Sequence, residues 1–333
     1  MRTVLAAVLI YAAGAVALTG WLYDDAARLI GESLSWLWNA SDRVLGRSLL
    51  IAPLMLGVVL ALGWRQARAR LAGIGALLVA AVVLQLGFSF FKNAIPAMIP
   101  YYADPALAAF DRWLHFGHDP WEIAHRLIGP GLTGAMPFVY FKLWGFFATT
   151  FPILVYATDP DAGRARRYIW LYFAAWLVVG NLLATLGASV GPVYYDRLLG
   201  SERFAGLDAA LASSGFAATA LGHLQDMLWA RWEGGGLDLG LGISAFPSMH
   251  VALATLVALY AAERSRWLAP FGAAFLAAIF VISIYSGYHY ALDAYAAIGV
   301  VWVGNRLAHR LARPKSETKL RGFAASQLLR SVR

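Results

Sequence analysis

The sequence predicts an all-α polytopic membrane protein of about eight transmembrane helices, with interfacial amphipathic helices on the outer face. Of its residues, 60% are hydrophobic and only 14% are charged, whereas a soluble domain carries about 25% charged residues. Apolar stretches near the roughly 20 residues needed to cross a bilayer recur along the chain. Short basic loops separate several of them, as in membrane proteins that follow the positive-inside rule.

The predicted spans follow in chain order. They cover residues 3–23, 48–64, 71–91, 132–157, 168–189, 246–262, 268–287 and 290–308. The first could instead be a cleaved signal peptide, because Ala15-Val16-Ala17 resembles a cleavage site. Apolar character continues past that point to Leu22, which favours a span.

Basic residues orient the predicted spans. They cluster in the loops 65–70, 164–167 and 264–266 and in the tail after Arg306. If the eight spans alternate, these segments share one side of the membrane, and that side is expected to be cytoplasmic together with both termini. The net charge of +8 therefore reflects membrane orientation, and we expect no nucleic-acid partner.

Longer and more acidic segments fall on the opposite side, at residues 24–47, 92–131 and 190–245. Apolar residues recur at helical spacing over 24–47, 104–128 and 204–230, with aromatic residues among them. This pattern is typical of amphipathic helices that lie at the membrane surface.

Two short motifs about forty residues apart carry the chemistry. The first is Ala-Phe-Pro-Ser-Met-His, ending at His250, and the second is Ser-Gly-Tyr-His-Tyr-Ala-Leu-Asp, ending at Asp293. The apolar hairpin 251–287 has the length of two antiparallel spans. It therefore returns His289 to the level of His250 at the outer face.

His289 and Asp293 are spaced i,i+4, which places them on one face of a helix that starts near residue 288. The carboxylate would fix the imidazole tautomer, leaving the other ring nitrogen to attack phosphorus and form a phosphohistidine. His250 would protonate the leaving oxygen and then activate the acceptor. Pro247 suits the first turn of a helix, whose N–H groups, with the Ser248 hydroxyl, would bind phosphate oxygens.

With these motifs the sequence resembles the type 2 phosphatidic acid phosphatase superfamily, and within it the branch of fungal inositol phosphorylceramide synthases. The F-P-S-x-H and H-Y-x-x-D elements carry the resemblance, which covers roughly residues 90–305. It implies the catalytic helix bundle of that superfamily, a phosphohistidine on His289, His250 as the acid and Asp293 as the orienting carboxylate. It also implies membrane lipids as substrates, with neither a metal nor another cofactor.

The sequence departs from the broader superfamily in two places. Met249 stands where the P-S-G-H element has glycine, and Ile282 and Ser283 stand where a serine and a phosphate-binding arginine are expected. Some other cation must then neutralise the substrate. The candidates are Lys92, at the end of the third span in a stretch that resembles K-x6-R-P, and Lys142, in the outer part of the fourth span.

A further candidate segment follows the fifth span. The sequence Gly-Pro-Val-Tyr-Tyr-Asp-Arg at 191–197 resembles a G-P-x-Y-Y stretch of the same branch. Tyr195 and Arg197 are therefore predicted to contact the substrate.

We expect three regions: N-terminal membrane helices with an interfacial helix at 1–70, a catalytic transmembrane domain at 71–310, and a basic cytoplasmic tail at 311–333. The expected activity is transfer of a phosphate-bearing headgroup between lipid-like molecules, on the periplasmic or extracytoplasmic face of the membrane (the inner membrane if the source is bacterial). A lipid phosphate or polyprenyl pyrophosphate phosphatase that uses water is the alternative. A transporter would need polar residues through the bilayer depth, which the spans lack. The oligomeric state stays open.

Overall fold

The computed structural model describes residues 1–24, 64–235 and 242–312, with five further positions between 27 and 35. Helix makes up 82% of the described residues and no strand occurs among them, which confirms the all-α class. The predicted span 48–64, most of the segment 24–47 and nearly all of the tail 311–333 lie outside the described residues.

Four segments are long and apolar enough to cross a membrane. They are Thr3–Leu22, Arg70–Met98, Pro130–Thr158 and Ala162–Leu186. They correspond to the first, third, fourth and fifth predicted spans. The main helices within them are α1 (Arg2–Leu22), α2 (Trp64–Met98), α5 (Trp144–Thr158) and α6 (Ala162–Leu177).

Short helices occupy two of the segments in which amphipathic helices were predicted. They are α3 (Asp104–Leu114), α4 (Pro120–Leu127), α8 (Ala205–Ser213) and α9 (Ala220–Glu233). A further short helix, α7 (Pro192–Leu199), lies between the two segments. Proline stands at the first or second position of α3, α4 and α7, where its missing N–H costs no helical hydrogen bond.

Three helices complete the bundle and carry both motifs at their ends. They are α10 (Met249–Arg264), α11 (Ala269–Tyr285) and α12 (Ala291–Ala312). Helix α10 packs against α5, α6, α11 and α12, so it lies at the centre of the bundle. The hairpin between α10 and α11 is tight, since a Cβ on Gly272 would press against Ala258 and Ala261. This packing brings the end of α11 back beside the start of α10.

Candidate active site

Helix α12 begins at Ala291, so His289 precedes the helix instead of sharing a face with Asp293. The two side chains meet for another reason. Asp293 is the third residue of the helix, and its Oδ2 folds back to accept the N–H of Tyr290 at 3.0 Å. This is half of a capping box, and it places the same carboxylate oxygen beside the His289 ring.

The His289 ring is fixed by two acceptors on one of its nitrogens. Nδ1 lies 2.9 Å from the carbonyl oxygen of Ala245 and 3.2 Å from Asp293 Oδ2. Because both partners only accept, in the neutral ring Nδ1 carries the proton and Nε2 keeps its lone pair. Nε2 has no hydrogen-bond partner in the described part of the chain.

His250 is held by aromatic rings instead. It is the second residue of α10. Its ring stacks on that of Tyr140 and packs at a tilt of 32° against that of Trp144, each with a centroid distance of 4.1 Å. The indole Nε1 of Trp144 also donates to the His250 backbone oxygen at 3.1 Å. The centroids of the His250 and His289 rings lie 6.2 Å apart. No side chain or carbonyl of the described residues bonds to a ring nitrogen of His250, so both are available for proton transfer.

The start of α10 differs from the prediction. Met249 is its first residue, so Pro247 precedes the helix and does not stand in its first turn. Ser248 is the N-cap, and its buried hydroxyl accepts the N–H of Val251 at 3.3 Å. The Ser248 N–H donates to the Asp293 backbone oxygen at 3.2 Å, which ties the two motifs together. The backbone N–H groups of Met249 and His250 point into no described acceptor.

Two buried carboxylates from α3 hold the backbone around His289. Asp104 accepts the N–H groups of Val190 at 2.8 Å and Gly191 at 2.9 Å, and the hydroxyl of Tyr290 at 3.0 Å. Asp111 accepts the N–H groups of Ala291 and Leu292, each at 3.1 Å. Asp111 therefore caps the N-terminus of α12 from a different helix.

The sequence contained a signal for these carboxylates that the interfacial-helix interpretation missed. Asp104, Ala108 and Asp111 are spaced four and three residues apart, so they share one face of α3, and all three are buried. An interfacial helix normally keeps its acidic residues on the water-facing side, whereas α3 has Asp104 and Asp111 on the buried side, next to Ala108. Burial raises the pKa of both carboxyls, while the hydrogen bonds that they accept oppose this rise.

Both histidines line a cavity of about 310 Å³. Most of its wall is aromatic or aliphatic. That wall includes Phe88, Phe141, Trp144, Trp176, Leu224 and Leu228. Lys92 is the single lysine or arginine that lines it among the described residues. Ser283, where the superfamily arginine is expected, is buried, and its hydroxyl lies 3.4 Å from that of Tyr140.

The remaining predicted residues lie outside this lining. Lys142 is exposed on a π-helical turn at Phe138–Leu143, the turn that also carries Tyr140. Tyr195 packs edge-on against Phe204, and Arg197 pairs with Asp226 at 3.3 Å.

Tyr194, the preceding residue of the same stretch, lines the cavity in place of Tyr195. Its hydroxyl donates to the backbone oxygen of Gln225. No group of three or more His, Asp or Glu side chains in the described ranges could hold a metal ion.

The family model described as the PAP2 superfamily matches residues 105–307, which is more than half of the chain. No curated protein and no solved structure matches the chain. The matched region contains both histidine motifs, the Asp111 carboxylate, helices α10 and α11, and α12 up to residue 307. The chain belongs to the PAP2 superfamily, whose members are phosphatases or phosphotransferases that act on phosphate esters.

Proposed function

We propose that the protein is an integral membrane phosphotransferase that moves a phosphate-bearing headgroup from a lipid donor to a lipid-like acceptor through a phosphohistidine on His289. One observation carries the proposal. Nδ1 of His289 is held by Asp293 and a backbone carbonyl, so the neutral ring has its lone pair on Nε2, and His289 lines the same cavity as His250.

In the first half-reaction, Nε2 of His289 attacks phosphorus and the bond from phosphorus to the leaving oxygen breaks. The leaving oxygen takes a proton from His250. The phosphorylated imidazole is cationic, and the carboxylate of Asp293 stabilises it through the Nδ1–H hydrogen bond. In the second half-reaction, His250 removes the proton of the acceptor hydroxyl as that oxygen attacks phosphorus. The bond from phosphorus to Nε2 breaks, and His289 leaves as the neutral imidazole.

The negative charge of the phosphate needs a cation where the superfamily arginine is replaced. Lys92 supplies that charge from the cavity wall. The N–H groups of Met249 and His250, at the start of α10, are suited to bind phosphate oxygens because no described acceptor uses them.

The apolar wall of the cavity favours transfer over hydrolysis. Side chains such as Trp176, Leu224 and Leu228 suit the hydrocarbon of a lipid acceptor and exclude water from the phosphohistidine. The F-P-S-M-H and H-Y-A-L-D elements support the same choice, because they resemble the inositol phosphorylceramide synthase branch.

The proposed placement in the membrane has eight spans, with the cavity on the extracytoplasmic face and both termini in the cytoplasm. The basic loops at 65–70, 164–167 and 264–266 support this orientation. The substrates are then lipids of the membrane, whose headgroups lie at the level of the cavity.

The test uses purified enzyme with phosphorus-labelled lipid donors, with and without lipid acceptors that carry a free hydroxyl. Mass spectrometry identifies the products. Transfer predicts a new labelled lipid that depends on the acceptor. Free phosphate or a free phosphorylated headgroup, released at the same rate whether or not an acceptor is present, would assign the protein as a phosphatase.

A further inference from the structure

A second cavity, of about 550 Å³, lies at the opposite end of the helix bundle from the two histidines. Its walls come from α6, α10 and α12. Along α10, Glu263 is thirteen residues beyond His250, which places the two about 20 Å apart at roughly 1.5 Å per residue. The cavity is therefore separate from the proposed catalytic site.

One wall of this cavity carries positive charge without a matching acid. Glu263 is the acidic residue of the lining, and it already interacts with Arg167, the Tyr168 hydroxyl at 2.9 Å and His309 at 3.3 Å. Arg306 and Arg310 are exposed, and neither has a carboxylate partner in the described ranges. They are spaced i,i+4 on α12, so both guanidinium groups lie along the same face.

A buried amide lies in the same wall. Asn305 is 8% exposed, and its Oδ1 has no hydrogen-bond partner within the described chain. A buried amide that its neighbours leave unsatisfied is costly in a folded protein. Because Oδ1 only accepts, a hydroxyl of a bound headgroup would complete its hydrogen bonding, while the Asn305 amide nitrogen can donate to a phosphate oxygen. Two guanidinium groups beside an amide suit the oxygens of a phosphate group.

The surroundings of the cavity are apolar. Trp302, Leu307 and Leu311 are exposed on α12, and the guanidinium of Arg306 lies 5.0 Å from the Trp302 ring centroid. Tryptophan and arginine at the end of an apolar helix are typical of headgroup depth in a membrane. A phosphate bound here would therefore have lipid chains next to it.

We propose that this cavity binds the phosphate headgroup of an anionic phospholipid in the leaflet opposite the histidine site. The phosphate lies between Arg306 and Arg310 and receives a hydrogen bond from the Asn305 amide. The bound lipid is a resident of the fold and not a substrate, because Glu263 of the cavity wall lies about 20 Å from His250 along α10, at roughly 1.5 Å of helix per residue.

The full chain is reconstituted in phosphatidylcholine nanodiscs with and without phosphatidylglycerol, and native mass spectrometry measures the phosphatidylglycerol retained. The variant R306Q/R310Q is compared with the control R166Q/R266Q. The control removes two exposed charges near the same end of the bundle but outside the cavity lining. We expect R306Q/R310Q to retain phosphatidylglycerol about tenfold more weakly than the wild type, because it loses two cations at the proposed site. The control should retain the lipid like the wild type. Equal retention by the two variants would overturn the proposal.

A second measurement distinguishes a lipid from a free anion. The wild-type protein in detergent is titrated with inorganic phosphate and with glycerol phosphate, the soluble headgroup. The proposal predicts far weaker binding of both than of the intact lipid. Equal affinity for inorganic phosphate would mean a soluble-anion site and contradict the lipid assignment. In the nanodisc experiment, lipid held at the catalytic cavity is retained equally by R306Q/R310Q and by R166Q/R266Q, so it does not contribute to the difference between them.

Discussion

His289 and His250 face the same cavity, yet the chain holds them by different forces. The His289 segment is fixed by hydrogen bonds to Asp293 and the Ala245 carbonyl, and by the buried carboxylate of Asp111 behind it. The His250 ring is held by stacking on Tyr140 and by a tilted contact with Trp144, with no described hydrogen bond to its ring nitrogens.

This difference matches the two proposed roles. A nucleophile needs one defined tautomer and a fixed direction of attack, which hydrogen bonds to one nitrogen provide. An acid and base must change its protonation state during each turnover. Stacking positions such a ring without favouring either state as strongly as a carboxylate partner would.

The largest expected effect is that of removing the nucleophile. His289→Ala should lower kcat by roughly a million-fold, the scale seen when a covalent nucleophile is lost. Turnover assays of the reconstituted protein measure kcat, and thermal unfolding shows whether the variant is folded. His118→Ala, which removes an exposed histidine on the α3–α4 connection, is the matched control and should keep full activity. A folded His289→Ala protein with appreciable turnover would contradict the phosphohistidine mechanism.

Asp293→Asn should lower kcat by about ten-thousand-fold, because an amide no longer fixes the Nδ1–H tautomer. The variant also weakens the contact with the Tyr290 N–H, so unfolding is measured in parallel. Asp226→Asn changes an exposed aspartate and should be silent. A near wild-type rate for Asp293→Asn would remove the carboxylate from the mechanism.

His250→Ala should lower kcat by about a hundred- to ten-thousand-fold, the usual contribution of general acid–base catalysis. With a donor whose leaving group needs no proton, the first step should proceed and labelled phosphoenzyme should accumulate. Quenched-flow measurement of protein-bound label checks this. If both steps slowed equally with such a donor, His250 would have a different role.

Asp111→Asn should lower kcat by about a hundredfold with a small change in KM, since displacing a catalytic group by about 1 Å has that effect. In the aspartate, each carboxylate oxygen accepts one N–H, from Ala291 or from Leu292. In the asparagine, an NH2 group replaces one of these oxygens and faces an N–H donor. Glu122→Gln on the neighbouring helix α4 is the control. If Asp111→Asn changed KM and left kcat unchanged, Asp111 would not be needed to position His289.

The smallest expected effect is that of removing the aromatic ring of Tyr140, which stacks on His250. Tyr140→Phe keeps the ring that stacks on His250 and should stay near the wild-type rate, whereas Tyr140→Leu should lose about tenfold, as expected for one stacking contact. Equal rates for Tyr140→Phe and Tyr140→Leu would show that stacking does not position His250.

Local pattern predicted much of this structure, and long-range contacts explain the rest. Both histidine motifs and most helices follow from spacing and apolar length. The start of α12 does not, because Asp111, 180 residues away in sequence, caps it. Arg197 is predicted to contact the substrate, and nothing in the sequence indicates that Asp226 on another helix pairs with it. Such partners are set by tertiary packing, which one sequence does not display.

The central claim is that phosphorus becomes bonded to His289. The most direct measurement incubates the reconstituted His250→Ala protein with a phosphorus-labelled lipid donor whose leaving group needs no proton, and maps the label by mass spectrometry under conditions that preserve phosphoramidates. The account predicts an acid-labile adduct on His289 that is absent from His289→Ala. Label on any other residue, or turnover by the wild type with no protein-bound phosphorus at any time point, would contradict it.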